Sequence, residues 1–318
     1  MKKFLFFILG FWVMLGFTYY IWESISKLER VNLKIGTNFW TGYEIIYIAK
    51  ELGYIDNIEI VEYNSNAEVI RGLKTGVINA GTLTIDEALR GLSRGIDYRI
   101  VLVFDYSNGA DSIIAKDYIK KPSDLIGKRI GVEDSALGKY MLKRFLDKTG
   151  LKREDITVVY LELHEHSKAF LESKVDAIIT FEPEKSRILS KEGWVIFSSK
   201  DIPNEIIDVM VVKKEFLDKN IEKVKELIEG YYEAFNYFQR SEDAIDMVVK
   251  RQHLSKEDVK KAFQEIYLPN REEVVKNIVE IEKSIDKICK TLKEESIINN
   301  SINCSIILDK EMFMELYR

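Results

Sequence analysis

From residue 32 to residue 104 the chain alternates short apolar runs with amphipathic stretches, and no other feature constrains its fold as much. Runs at 32–37, 58–63, 80–83 and 98–104 have the length and β-branched content of strands. The stretches 42–52, 67–75 and 85–93 place apolar residues at helical spacing, as Ile45, Ile48, Ala49 and Leu52 do. Gly76 and Gly95 stand where two of these helices have to stop. Such a series predicts an α/β fold with a mainly parallel sheet and helices on both faces.

A second series follows. Strands are expected at 112–116, 129–132, 156–161, 177–180 and 194–197, with helices at 136–148, 165–171 and 183–190. No Pro-, Gly- or Ser-rich linker separates the two series near 105–112. The chain therefore reads as two lobes joined by crossing strands, with a hinge cleft between them. The strong apolar run 206–212 is placed to return to the first lobe. This gives residues 31–105 plus 206–240 as lobe 1 and 106–205 as lobe 2. Residues 241–318 are rich in Lys and Glu and read as a helical C-terminal extension packing on lobe 1. The apolar register of 274–292 is too short to favour a coiled coil.

Lys2 and Lys3 precede an apolar run over 4–22. A basic start and a long apolar core predict that 1–26 is a signal sequence or an uncleaved membrane anchor. Residues from about 27 onward then lie outside the cytoplasm, periplasmic or on the cell surface. The formal net charge of −5 excludes a general nucleic-acid binder, which needs a basic excess. Neither zinc-type cysteine spacing nor a phosphate-binding glycine motif occurs. Cys289 and Cys304 are either two thiols or one disulfide, and their spacing does not decide.

Ligands of open α/β sheets bind beyond the carboxyl ends of strands. At those ends stand Trp40, Tyr43 and Glu44; Thr84 and Asp86; Asp105, Ser107, Asn108 and Asp111; Glu133; and Phe181 with Glu182. Asp208 interrupts the run 206–212, and an acid there needs a partner. Each has a plain structural reading. Glu44, Asp86 and Asp134 sit where a carboxylate caps a helix, and the aromatics can be ordinary packing. Asp105 and Asp111 flank the loop at the lobe crossing and are harder to explain by capping. His164 and His166 form an HxH pair without a third ligand nearby, so no metal site is expected. No catalytic Ser/His/Asp or Cys/His set can be assembled, and no cofactor is expected.

These residues carry a resemblance. Trp40-Thr41-Gly42-Tyr43-Glu44, Leu83-Thr84-Ile85-Asp86-Glu87, Asp105-Tyr106-Ser107-Asn108-Gly109-Ala110-Asp111, Gly131-Val132-Glu133, Thr180-Phe181-Glu182-Pro183 and Ile207-Asp208-Val209 follow one another in order over about 31–240. Together they resemble the solute-binding proteins of the nitrate/sulfonate/taurine (NitT/TauT, SsuA-like) family of ABC importers. The resemblance implies a bilobed type II periplasmic-binding-protein fold with two Rossmann-like lobes. It also implies a monomer that captures a small-molecule ligand by hinge closure and delivers it to an ABC permease in the membrane. Within that class, the Asp-x-Ser-Asn-Gly-x-Asp loop resembles members associated with urea- or guanidine-type nitrogen compounds.

The chain departs from anion-binding members in the acids at its strand ends. An oxyanion site needs helix N-termini, hydroxyls or a cation. Convergent carboxylates would instead hold a small cationic or amine-bearing nitrogen compound. Alternatives are a ligand-sensing ectodomain without transport and a binder of a sulfonate- or nitrate-type anion. Thiamine-pyrimidine synthases resemble the same fold but need a cysteine-rich motif that is missing here, so enzymatic activity is not expected.

Overall fold

The computed structural model describes residues 33–318. The signal or anchor expected over 1–26 lies outside the described residues. Among the described residues no helix is long and apolar enough to cross a membrane.

Two sheets carry the fold. The chain begins in the first with β1 (Leu33–Thr37), β2 (Ile58–Glu62), β3 (Ala80–Thr84) and β4 (Tyr98–Ser107). It crosses to build the second from β5 (Ser112–Ala115), β6 (Arg129–Val132), β7 (Thr157–Tyr160), β8 (Ala177–Thr180) and β9 (Trp194–Ser198). It then returns with β10 (Ile207–Lys213) and later adds β11 (Ile266–Tyr267). The orders are β11-β4-β10-β3-β1-β2 and β7-β6-β8-β5-β9. The fold is α/β and bilobed.

Both sheets are mixed rather than mainly parallel. The returning β10 inserts between β3 and β4 and runs antiparallel to each. In the second sheet β6 is parallel to β7 and β8, while β5 is antiparallel to β8 and β9. The local pattern carries no sign of this, because strand direction is set by where the crossing chain re-enters. Strands covered on both faces are apolar throughout. Val101, Leu102, Val103 and Phe104 of β4 and Val209, Met210 and Val211 of β10 are all fully buried.

Helix ends follow their sequence signals. Ser65 accepts a hydrogen bond from the Glu68 backbone N–H to open the helix Asn66–Thr75, and Gly76 closes it with φ of 77°. Ser135 accepts from Gly138 N–H at the start of Ala136–Thr149. Each such cap contributes about 1 kcal/mol.

The segment after residue 241 is helical over Glu242–Gln252, Lys256–Gln264, Arg271–Lys276, Ile278–Glu294 and Lys310–Leu316. The short β11 pairs with the end of β4. Cys289 and Cys304 form a disulfide that ties Ile278–Glu294 to the turn Cys304–Ile307. This segment touches both lobes. Gln252 Nε2 donates to Glu44 Oε1 at 2.8 Å in the first lobe. Lys287 Nζ donates to Glu205 Oε1 at 2.6 Å, and Arg144, on the helix Ala136–Thr149, donates to Glu205 Oε2 at 2.6 Å.

Candidate functional site

The carboxyl ends of β1 and β3, the loop after β4, the end of β8 and the start of β10 meet at one small cavity. Asn38, Trp40, Tyr43, Asn66, Thr84, Asp111, Leu137, Phe181 and Asp208 line it. Its volume is about 20 Å³, so the lobes are closed on it. Two contacts hold them there. The Trp40 and Phe181 rings meet edge to face with centroids 6.0 Å apart. Glu87, on the helix Ile85–Ser93, accepts a hydrogen bond from the Ala136 backbone N–H at the start of Ala136–Thr149.

Register places the acids. Asp208 lies opposite Thr84 on one side and Asp105 on the other, so three neighbouring strands present polar side chains in a row. Sequence reading put Asp105 in a loop. It belongs instead to β4, which runs on to Ser107 because β10 and β11 both pair with it there. The Trp40 indole N–H donates to Asp105 Oδ2 at 2.9 Å. The Tyr43 hydroxyl donates to Asp208 Oδ1. Gly42 stands against the Trp40–Asp105 pair. A Cβ on it would overlap Asp105 Oδ2 and lie 2.5 Å from Trp40 Nε1.

The electrostatics are those of carboxylates removed from water. Burial pushes Asp105 up to about 7 despite the Trp40 hydrogen bond. Burial also pushes Asp111 up to about 6, against its hydrogen bond with Ser107 and the charge of Lys185. Asp208 is raised well above the usual carboxylate range by burial and then by the charge of Asp105. Asp86 is raised similarly by burial and by Glu87. Both Asp86 oxygens, Asp105 Oδ1 and Thr84 Oγ1 are buried and have no hydrogen-bond partner among the described residues. Among the nine lining residues there are two carboxylates and no Lys or Arg.

The other residues singled out from sequence do not line the cavity. Asp86 and Asp105 lie buried behind it. Ser107 joins the two crossings: its hydroxyl is 2.8 Å from that of Ser199, which also accepts from Gly109 N–H. Asn108 is exposed, and its backbone N–H donates to Glu265 O at 2.8 Å. Glu44 is buried but pairs with Arg251, with Nε donating to its two oxygens at 2.9 and 2.7 Å. Glu182 accepts from the Ser186 hydroxyl and backbone N–H four residues on, which is local capping; burial pushes it up to about 7. Glu133 is half-buried near Glu87 and is pushed up to about 7 by burial. His166 is buried, with Nδ1 3.1 Å from Thr180 Oγ1, and burial lowers it to about 4. Among the described residues no group of His, Cys, Asp and Glu could hold a metal ion.

Sequence reading did not select Asn38, Asn66 and Leu137. Asn38 Nδ2 donates to Asn66 Oδ1 at 2.7 Å, which fixes one wall. Asn66 follows the second strand, so the strand-end rule applied there would have found it. Leu137 has no polar signature. Lys185 was also missed. It is buried, donates to Gly109 O at 2.8 Å and pairs with Glu265.

A family model described as NMT1/THI5 like matches residues 40–260. The taurine-binding periplasmic protein of Escherichia coli (strain K12) is 27% identical over 189 residues, which cover 58% of this chain and 58% of that protein. The alkanesulfonate-binding protein SsuA from Xanthomonas axonopodis pv. citri, solved bound to MOPS, superposes with a TM-score of 0.74 at 17% identity. The match covers 87% of this chain and 97% of that one. The ligand-binding component of an ABC-type import system from Staphylococcus aureus superposes with a TM-score of 0.76 at 13% identity, covering 90% and 98%.

Proposed function

Because the chain belongs to the NMT1/THI5-like family, we propose that it is an extracytoplasmic solute-binding protein of an ABC importer, capturing a small amine-bearing solute between its lobes. The names of its relatives support the binding and import parts of this reading. The Cys289–Cys304 disulfide fits an oxidising compartment outside the cytoplasm. The observation that carries the ligand class is the lining itself, with Asp111 and Asp208 facing in and no Lys or Arg. A cation or ammonium group gives these acids the partner that burial otherwise denies them, through charge-assisted hydrogen bonds. The edge of Phe181 against Trp40 adds an aromatic wall, and a cation gains further from a ring face.

The names of the relatives, taurine and sulfonates, favour an anion and do not support the amine by themselves. Taurine carries an ammonium as well as a sulfonate. Asn38, Asn66 and Thr84 offer amide and hydroxyl groups to the opposite end of such a zwitterion. Lobes of 31–105 plus 206–240 and of 106–205 would part about the two crossings that Ser107 and Ser199 hold together. An open form would then present the solute to a permease.

Calorimetric titration of the full chain with taurine, ethanesulfonate, methylamine, guanidinium and nitrate tests the reading. Amine-bearing or guanidinium probes are expected to bind saturably, and ethanesulfonate and nitrate are not. Asp111→Asn and Asp208→Asn are each expected to weaken binding about 10- to 100-fold. Ethanesulfonate binding as tightly as taurine, unaffected by either variant, would overturn the assignment.

A further inference from the structure

A second, larger cavity lies apart from the acidic one and has the opposite charge. Its volume is about 530 Å³. Arg90, Arg94, Lys139, Lys143 and Arg153 line it, against Asp147 and Glu295. Five cations face these two carboxylates in the lining, and Asp134 and Glu87 lie within ion-pair reach of Lys139 and Arg90. Lys143 is bonded to Asp147 and lies 3.8 Å from Glu295, and Lys139 lies 2.5 Å from Asp134. Among the described residues neither Arg94 nor Arg153 forms an ion pair. One guanidinium nitrogen of Arg90 is buried and has no hydrogen-bond partner among the described residues, but it is ion-paired with Glu87 at 3.6 Å.

A cluster of surface lysines alone would be a solvated face. This one is concave, and two of its arginines, Arg94 and Arg153, form no ion pair among the described residues. Such a lining suits an anion with several oxygens. The elements that meet here also matter. Arg90 and Arg94 come from the helix after β3, in the first lobe. Lys139 and Lys143 come from Ala136–Thr149, in the second. Glu295 and Ile297 bring in the C-terminal segment.

We propose that this cavity is a second binding site, for a small multiply charged oxyanion of the polyphosphate or polycarboxylate class, whose occupant bridges the two lobes and favours the closed form. Arg guanidinium groups pair with phosphate and carboxylate oxygens bidentately, and several of them around one space select multiple charge. An anion that touches both lobes binds the closed form better than the open one. By linkage it then strengthens capture in the acidic cleft, and a cleft ligand strengthens anion binding. The proposal does not depend on the identity of the cleft ligand.

The test titrates the full chain with pyrophosphate and with citrate at about 0.15 M salt, where exposed charges are screened beyond about 8 Å. Saturable binding of either probe is expected, and which one binds separates phosphate from carboxylate chemistry. Arg94→Glu combined with Arg153→Glu is expected to weaken it at least about tenfold. Both arginines are exposed, so the variant should melt like the parent without ligand. Lys260→Glu, on a distant surface, should bind as the parent does. Small-angle scattering should show the probe compacting the protein. Absence of saturable binding by both probes, binding that survives the double substitution, or binding without compaction would each overturn the proposal.

Discussion

Replacing Asp105 by Asn is expected to make the empty protein more stable, by an amount that grows as pH rises from about 4 to about 7. Asp105 is fully buried, and its folded-state value is raised from 3.8 to about 7 by burial. Between those two values the folded chain holds a proton that the unfolded chain releases. Stability therefore falls as pH rises through that window, and the full penalty is present above about 7. A rise of about three units corresponds to roughly 4 kcal/mol. For a chain of this size that is on the order of 7 °C in melting temperature. Asn keeps an oxygen for the Trp40 indole N–H, which donates to Asp105 at 2.9 Å, and it has no charge to desolvate. Thermal melts of parent and Asp105→Asn at pH 5 and pH 8 are the assay. The variant should melt several degrees higher at pH 8 and about a third as much higher at pH 5, where only part of the penalty has developed. Equal melting at both values, or a loss at pH 8, would refute the claim that Asp105 is a desolvated acid without a cation.

Other expectations follow from particular contacts. If Asp111 must be ionised to hold a cation, affinity for an amine probe should drop about tenfold from pH 8 to pH 5, because its value is about 6; a flat calorimetric profile would contradict this. Gly42→Ala should separate Trp40 from Asp105, lower stability by about 1–3 kcal/mol in denaturant titration and abolish capture. Arg251→Met should cost about 3–5 kcal/mol by leaving Glu44 buried and unpaired, while Glu44→Gln should cost less; urea melts distinguish them. Converting Cys289 and Cys304 to Ser should cost roughly 3 kcal/mol, as expected for a 15-residue loop, without changing ligand affinity.

The alternation of apolar runs made the two α/β series legible, and caps such as Ser65 and Gly76 fell where their local signals put them. Long-range pairing was not legible. The apolar run of β4 ends at Phe104, so Asp105 read as a loop residue; only β10, about 100 residues later, extends the strand through it. Glu44 stood at a strand end and looked available for a ligand. Arg251, 207 residues away, occupies it, and no local pattern could announce that ion pair. Glu182 is the opposite case. Its partner Ser186 is four residues on, and the capping reading was open from sequence. The disulfide was undecidable from spacing, because pairing depends on how the C-terminal helices fold back.

The acids of the cleft are what the proposed amine-bearing ligand rests on. Strand ends supply the positions in any protein of this architecture. What differs is the side chain at each position and what lies behind it. Here Thr84, Asp208 and Asp105 sit side by side across three strands, and the Trp40 and Tyr43 donors each go to a carboxylate rather than into the space. An oxyanion arriving in that space would find those two donors already used and two acids, Asp111 and Asp208, facing it. An ammonium would find acceptors. Cationic donors that could hold an anion lie instead around Arg90 and Arg94, at the cavity where the lobes also meet. Separating the two charges in this way lets an anion influence closure without competing for the cleft.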